Sequence, residues 1–135
     1  MSAAADPAGE VQAAADALVA AFASSDADAY FRCFAPGATF VFHTTDHRLE
    51  SRAEYEQLWA RWVAEDGFRV LSCASSAQRV QVFGDTAVFT HDVRTVVATT
   101  GGEDTTAERE TIVFVRDGEG WTAVHEHLSP APGRG

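Results

Sequence analysis

The stretch "WTAVHEHLSP", residues 121–130, sets His125, Glu126 and His127 side by side. These are residue types that ligate metals and carry protons. In a strand, successive side chains point to opposite faces. Trp121, Ala123, His125 and His127 then share one face, and Thr122, Val124, Glu126 and Leu128 the other. Glu126 is thereby separated from the histidines that flank it. A histidine pair on one strand face needs at least a third ligand to hold a metal, and His43, His47 and His91 stand at no ligand spacing from it. No metal is expected; His125 and His127 read instead as hydrogen-bonding residues of a partly buried sheet face. Glu126 is different. A carboxylate among apolar neighbours such as Val124 and Leu128 acquires either a partner or a raised pKa. It is the first candidate for proton transfer, with a structural ion pair as the other reading.

A second group lies in "TAVFTHDVRTVV", where Ala87, Phe89, His91, Val93 and Thr95 fall on one face while Asp92 and Arg94 fall on the other. The first set reads as interior. His91 is then either a satisfied core histidine or a residue that contacts a ligand. Arg109 shares its parity with Thr111, Val113 and Val115, and reads equally as a pocket cation or as a solvated residue at a strand's start. Hydrolase chemistry finds little support: there is no GxSxG elbow, and Cys33 and Cys73 stand 40 positions apart with no CxxC spacing, as expected for two reduced thiols.

Which elements position these residues follows from periodicity and breakers. Asp6-Pro7 reads as an N-cap with proline at the first helical position, followed by Val11, Ala14, Ala15, Leu18 and Phe22 at helical spacing. Ser25 reads as the cap of a short second helix carrying Tyr30, Phe31 and Phe34, stopped by Pro36-Gly37. Residues 38–44 read as a strand, with Phe40 and Phe42 on one face and Val41 and His43 on the other. "SRAE" at 51–54 is a capping box opening a third helix with an apolar stripe of Tyr55, Leu58, Trp59, Trp62 and Val63 that ends near Gly67. Four further strands, Phe68 to Phe83, Thr86 to Thr99, Thr105 to Arg116 and Trp121 to Leu128, are separated by Gly84-Asp85, Gly101-Gly102 and Asp117-Gly118. The order ααβαββββ predicts an α+β domain: a curved antiparallel sheet wrapped around the N-terminal helices, forming a cone with an internal pocket. Residues 129–135 read as a frayed tail.

Composition bounds the function. The 135 residues fit one domain, 1–135, and 46% hydrophobic residues is ample for a core. No stretch approaches the roughly 20 apolar residues of a membrane span, and the start "MSAAADPAGE" lacks a signal peptide's pattern, so a cytoplasmic location is expected. With a net charge of −10 and all ten basic residues arginine, nucleic acid and anionic membranes are poor partners.

The element order and the ending "RDGEGWTAVHEHLSP" resemble the SnoaL-like group of the nuclear-transport-factor-2-like superfamily over nearly the whole chain. "YEQLWARW", "VFGDTAVFTHDVR" and "WTAVHEHLSPAP" are also similar to the association domain of calcium/calmodulin-dependent kinase II. The superfamily includes ketosteroid isomerases, polyketide cyclases, dehydratases and epoxide hydrolases beside catalytically silent modules. The resemblance puts Phe42 where the isomerases carry their aspartate base, so that base is missing, with His43 next to it as a pocket-lining candidate. Against the kinase module, Thr111 and Glu126 fall on the pocket side, Trp59 matches a pocket tryptophan, and Val93 and Leu128 stand where that module has arginines. The implied activity is cofactor-independent acid/base chemistry (isomerase, cyclase or dehydratase type) on a small, mostly apolar molecule. Glu126 and His91 would move the proton and Arg109 would stabilise oxyanion charge. The pocket would be lined by Phe40, Phe42, His43, Trp59, Trp62, Phe89, Val93, Thr111 and Val124. The alternative is a non-catalytic homodimeric module that binds a ligand or assembles. A homodimer through the sheet face carrying Trp121, His125 and His127 is expected in either case.

Overall fold

The computed structural model describes residues 6–118 and 120–132. Three helices, α1 (Pro7–Ala23), α2 (Ala27–Arg32) and α3 (Arg52–Asp66), accompany five strands. The strands are β1 (Phe34–Phe42), β2 (Arg69–Phe83), β3 (Thr86–Thr99), β4 (Gly102–Asp117) and β5 (Gly120–Pro130). The element order matches the sequence reading, but the sheet is mixed. Its strand order is β1-β5-β4-β3-β2, and β1 runs parallel to β5 while every other pair is antiparallel. A meander fixes the order of β2 to β5 through its short turns. Nothing local in β1 says which edge it joins, because its partner lies some eighty residues on, Phe40 pairing with Glu126.

Several boundaries move for physical reasons. Ser25 adopts a left-handed φ of 58° in the α1–α2 turn and its Oγ accepts from Val70 N, so the cap of α2 falls to Asp26, whose side chain accepts from Ala29 N. Pro36 and Gly37 do not end a helix. They sit inside β1, where the register with β5 slips between Phe34 and Thr39, a place that tolerates a missing N–H. Asp6 makes no side-chain cap bond to α1, whereas the box at α3 forms: Ser51 accepts from Glu54 N, and Glu54 accepts from Glu50 N. Val63 falls outside the buried face of α3 and is 47% exposed. β5 runs on through Ser129 and Pro130, and Ala131 N donates to Ala107 O at 3.0 Å; residues 133–135 lie outside the described residues.

The helices pack on the concave side of the sheet. Val11, Ala15 and Leu18 of α1, Tyr30 and Phe31 of α2 and Tyr55 and Trp59 of α3 meet Phe34, Phe40, Ala87, Phe89, Ile112 and Phe114 from the strands in one core. Irregularities in the β1–β5, β2–β3 and β4–β5 ladders sharpen the twist. One of them decides which way the last strand's side chains point. Opposite Val113 and Phe114, β5 carries an extra residue, so His125 pairs with Val113 but Ala123 pairs with Phe114. Strict alternation through 121–128 therefore fails at Val124. Ala123 and Glu126 are both buried, and Trp121 turns inward to α1, where its indole N–H donates to Glu10 at 3.1 Å. His125 and His127 keep the outer face without Trp121; His125 Nδ1 lies 2.8 Å from Thr39 Oγ1.

Candidate functional site

Between helices and sheet lies a cavity of about 190 Å³. Its apolar wall comes from Leu18, Val19 and Phe22 of α1, Tyr55, Trp59 and Trp62 of α3, and Phe68 just before β2. The sheet contributes Phe42, Cys73, Val93, Thr95, Val97 and Leu128, and three acids: Glu108 and Glu110 on β4 and Glu126 on β5.

Register places the acids. β3 and β4 are joined through Thr100-Gly101, with Thr99 paired to Gly102, so the inward odd-numbered residues of β3 face even-numbered residues of β4: His91 opposite Glu110, Phe89 opposite Ile112, Ala87 opposite Phe114. That parity overturns the one expected for β4. Arg109 is exposed on the convex face and Thr111, paired to His127, points the same way; neither lines the cavity. Val124, at the bulge, does not line it either. "TIVFVR" is apolar on both parities, so periodicity could not choose between them; the two-residue turn could have.

Of the other residues singled out in the sequence, Phe42, Trp59, Trp62, Val93 and Glu126 line the cavity. Phe40 and Phe89 are wholly buried in the core behind it. His43, just past the end of β1, points back so that its Nε2 lies 2.6 Å from Glu108 Oε2, at the cavity's rim. His91 is buried behind the acids rather than among the lining residues. Its ring spans two partners, Nδ1 at 2.5 Å from Ser75 Oγ and Nε2 at 2.6 Å from Glu110 Oε1. Gln78 donates to Ser75 at 2.8 Å, which leaves the Ser75 hydroxyl proton for His91 and the His91 N–H for Glu110.

Glu110 and Glu126 line the cavity as diagonal neighbours on the inner face of the sheet, Glu110 pairing with Leu128 and Glu126 with Ile112, so the two carboxyls titrate together. Burial holds Glu126 well above the ordinary carboxylate range, and the nearby Glu110 charge adds to this. Burial also raises Glu110. On the far side Tyr30 donates to Glu126 Oε1 at 3.0 Å, and the Tyr55 hydroxyl stands 3.1 Å from that of Tyr30. Both phenols are pushed well up, first by burial and then by the Glu126 charge. Two hydrogen-bonded runs meet at the carboxyl pair: Gln78, Ser75 and His91 lead to Glu110, and Tyr55 and Tyr30 lead to Glu126. Burial lowers His91, keeping its ring neutral, and lifts Cys73 to about 11. Glu108, Glu110, Tyr30 and Tyr55 were not singled out in the sequence. Tyr30 and Tyr55 looked like ordinary helix-stripe residues, and the two glutamates lay on the parity opposite that of Thr111, which the resemblance had put on the pocket side. Among the described residues no group of three or more His, Cys, Asp or Glu is arranged to hold a metal ion.

The model of the SnoaL-like domain family matches residues 11–132. The chain belongs to the SnoaL-like domain family. Solved structures agree with this SnoaL-like fold. The hub of calcium/calmodulin-dependent kinase II from S. rosetta is 29% identical, with 96% of this chain and 100% of that one covered at a TM-score of 0.76. A nuclear-transport-factor-2-like protein from Rhodospirillum rubrum is 21% identical over 90% of this chain and 98% of its own, TM-score 0.76. A nuclear-transport-factor-2-like superfamily protein from Salmonella enterica is 18% identical over 94% and 92%, TM-score 0.77. Among curated proteins none matches the SnoaL-like chain in sequence. Among the described residues no helix is long and apolar enough to cross a membrane.

Proposed function

We propose that this SnoaL-like protein binds a small, mostly apolar molecule in the cone and moves a proton on it by cofactor-independent acid/base chemistry, as an isomerase, cyclase or dehydratase would. The observation that carries this is the Glu110–Glu126 pair, two buried carboxyls side by side on the wall of an apolar cavity, both raised by burial. A pair sharing one proton offers an acid and a base in the same place, and it titrates as a unit. Tyr30 and Tyr55 extend the donor side, toward charge developing on a substrate oxygen. His91 acts through Glu110, which it orients. Arg109 has no role here, being on the opposite face. The isomerase base position at Phe42 is apolar, and the acids arrive from β4 and β5 instead.

Proton abstraction can be tested without the natural substrate. Nitrobenzisoxazole opens when a base takes its ring C–H proton and the N–O bond breaks to a cyanophenolate. The expected result is saturable cleavage whose rate rises with pH through an apparent pKa above the ordinary carboxylate range. Glu126→Gln is expected to lower it about 100-fold or more. Cleavage no faster than with the same concentration of acetate, or undiminished in Glu126→Gln, overturns the proposal.

A second reading, a homodimeric ligand-binding or assembly module without catalysis, draws on the 29% identity to a kinase hub. Dimerisation is compatible with both readings. A cytoplasmic location is the accompanying expectation, in keeping with the free thiols of Cys33 and Cys73.

A further inference from the structure

The lining of the cavity is one-sided in charge: Glu108, Glu110 and Glu126 are present, and no arginine, lysine or histidine is. His43 and His91 touch the outer sides of Glu108 and Glu110 but do not reach the space itself. An anionic ligand would meet like charge there, and a purely apolar one would bury the carboxylates further without compensation. Opposite the acids, the wall contains the rings of Tyr55, Trp59, Trp62 and Phe68, whose π systems attract cations.

An independent observation comes from Trp59. It is only 5% exposed, and its indole N–H has no hydrogen-bond partner among the described residues, whereas Trp121 donates to Glu10. No side-chain nitrogen or oxygen that is fully enclosed lacks a partner among the described residues. The Trp59 N–H therefore keeps some accessible surface, and the residue lines the cavity. A buried indole N–H ordinarily finds an acceptor; here the protein supplies none among the described residues, which leaves the place to a molecule in the cavity or to solvent.

On the reading that this cavity is the ligand site, we infer that its ligand is a protonated amine on an apolar body, the ammonium against Glu108, Glu110 and Glu126 and an oxygen of the body accepting from the Trp59 N–H. The cavity then discriminates by charge as well as by shape. The groups facing the ammonium are Glu108 and Glu110 from β4 and Glu126 from β5, backed by His91 from β3, Cys73 from β2, Tyr30 from α2, Tyr55 from α3 and His43 after β1; the α1 residues at the cavity carry no titratable group. A cation placed there favours ionised carboxyls. Binding at neutral pH therefore releases a proton from the Glu110–Glu126 carboxyls, leaving the pair as the base of the complex and Tyr30 and Tyr55 as its donor side.

Three probes on one aromatic ether scaffold test this by calorimetry: para-methoxyphenethylamine, its uncharged isostere para-propylanisole, and para-methoxyphenylpropanoate. The amine should bind about tenfold or more tighter than the isostere, the carboxylate should not bind, and the heat should vary with buffer ionisation enthalpy as proton release requires. Trp59→Phe should weaken the methoxy amine several-fold more than it weakens phenethylamine, which lacks the ether oxygen and loses only the indole's attraction for the cation. Binding of the isostere or the carboxylate as tight as that of the amine overturns the inference. If benzisoxazole cleavage persists in that case, the proton-transfer proposal stands without the amine; if it is absent too, both fall.

Discussion

A carboxylic acid that keeps its proton inside a folded chain leaves a thermodynamic trace. Glu126 is raised from 4.5, so the folded protein holds a proton that the unfolded chain has released above that value. The stability this group contributes is complete below the unfolded pKa and is lost as pH rises through the folded one, with a slope of up to about 1.4 kcal/mol per pH unit. His91 and His125, both lowered from 6.5 by burial, act in the opposite sense: their contribution is present above 6.5 and falls as pH drops through their folded values. Above pH 6.5 those two histidine contributions are complete, and the raised groups, Glu126 with Glu110 and the exposed His47, all lose stability as pH rises. In Glu126→Gln the side-chain oxygen still accepts from Tyr30 and the amide donates to Glu110, imitating the protonated acid. Its thermal midpoint should exceed the parent's by a margin that widens from pH 6.5 to about pH 8, because the slope of the exposed His47 is common to both proteins and cancels. Parallel midpoint curves for the two proteins would refute the raised pKa. Glu126 was legible in the sequence because a charge between Val124 and Leu128 is conspicuous. Glu108 and Glu110 were not, because each is one more acid in a run that begins at Glu103 and Asp104.

At the scale of elements, the site depends on how α3 starts and how β3 turns into β4. α3 brings Tyr55, Trp59 and Trp62 to the cavity, and its first turn is closed by Ser51 accepting from Glu54 N at 3.1 Å. Ser51→Ala should cost about 1 kcal/mol, read as a lower denaturant midpoint at unchanged slope. No loss would mean that the Glu54 to Glu50 contact alone closes the helix. This capping box, the three helices and the β2–β5 meander were all legible, since caps, period and turn residues are local signals. The parallel seat of β1 and the bulge at Val124 were not: both are settled by partners distant in sequence, Phe40 against Glu126 and Val113 against His125. The bulge also explains how Trp121 was assigned to the wrong face while Glu126 was assigned to the right one.

For the whole molecule, the convex side of the sheet is the face offered for assembly. Val41, Val88, Thr111, Val113, Val115 and His125 are only half-buried there, a β-branched surface of the kind that pairs. A homodimer through this face would leave the cavities, on the concave side, untouched. Light scattering at micromolar concentration should give twice the chain mass. His127→Glu, which sets like charges against each other across a two-fold contact, should return the monomer without altering probe binding. A monomeric parent protein refutes the pairing.

The strand order β1-β5-β4-β3-β2 carries a consequence for how the chain matures on the ribosome. β5 is synthesised after the other four strands, yet its place is between two of them. Until it emerges, β1 has no ladder to join except an isolated bridge to Leu49, and β4 presents a raw edge. The nascent chain thus passes through a state with two open seams, the sort of intermediate that chaperones shield. Only when the tenth or so residue of β5 has cleared the tunnel can both seams shut, and the same event carries Glu126 into place between Glu110 and Tyr30.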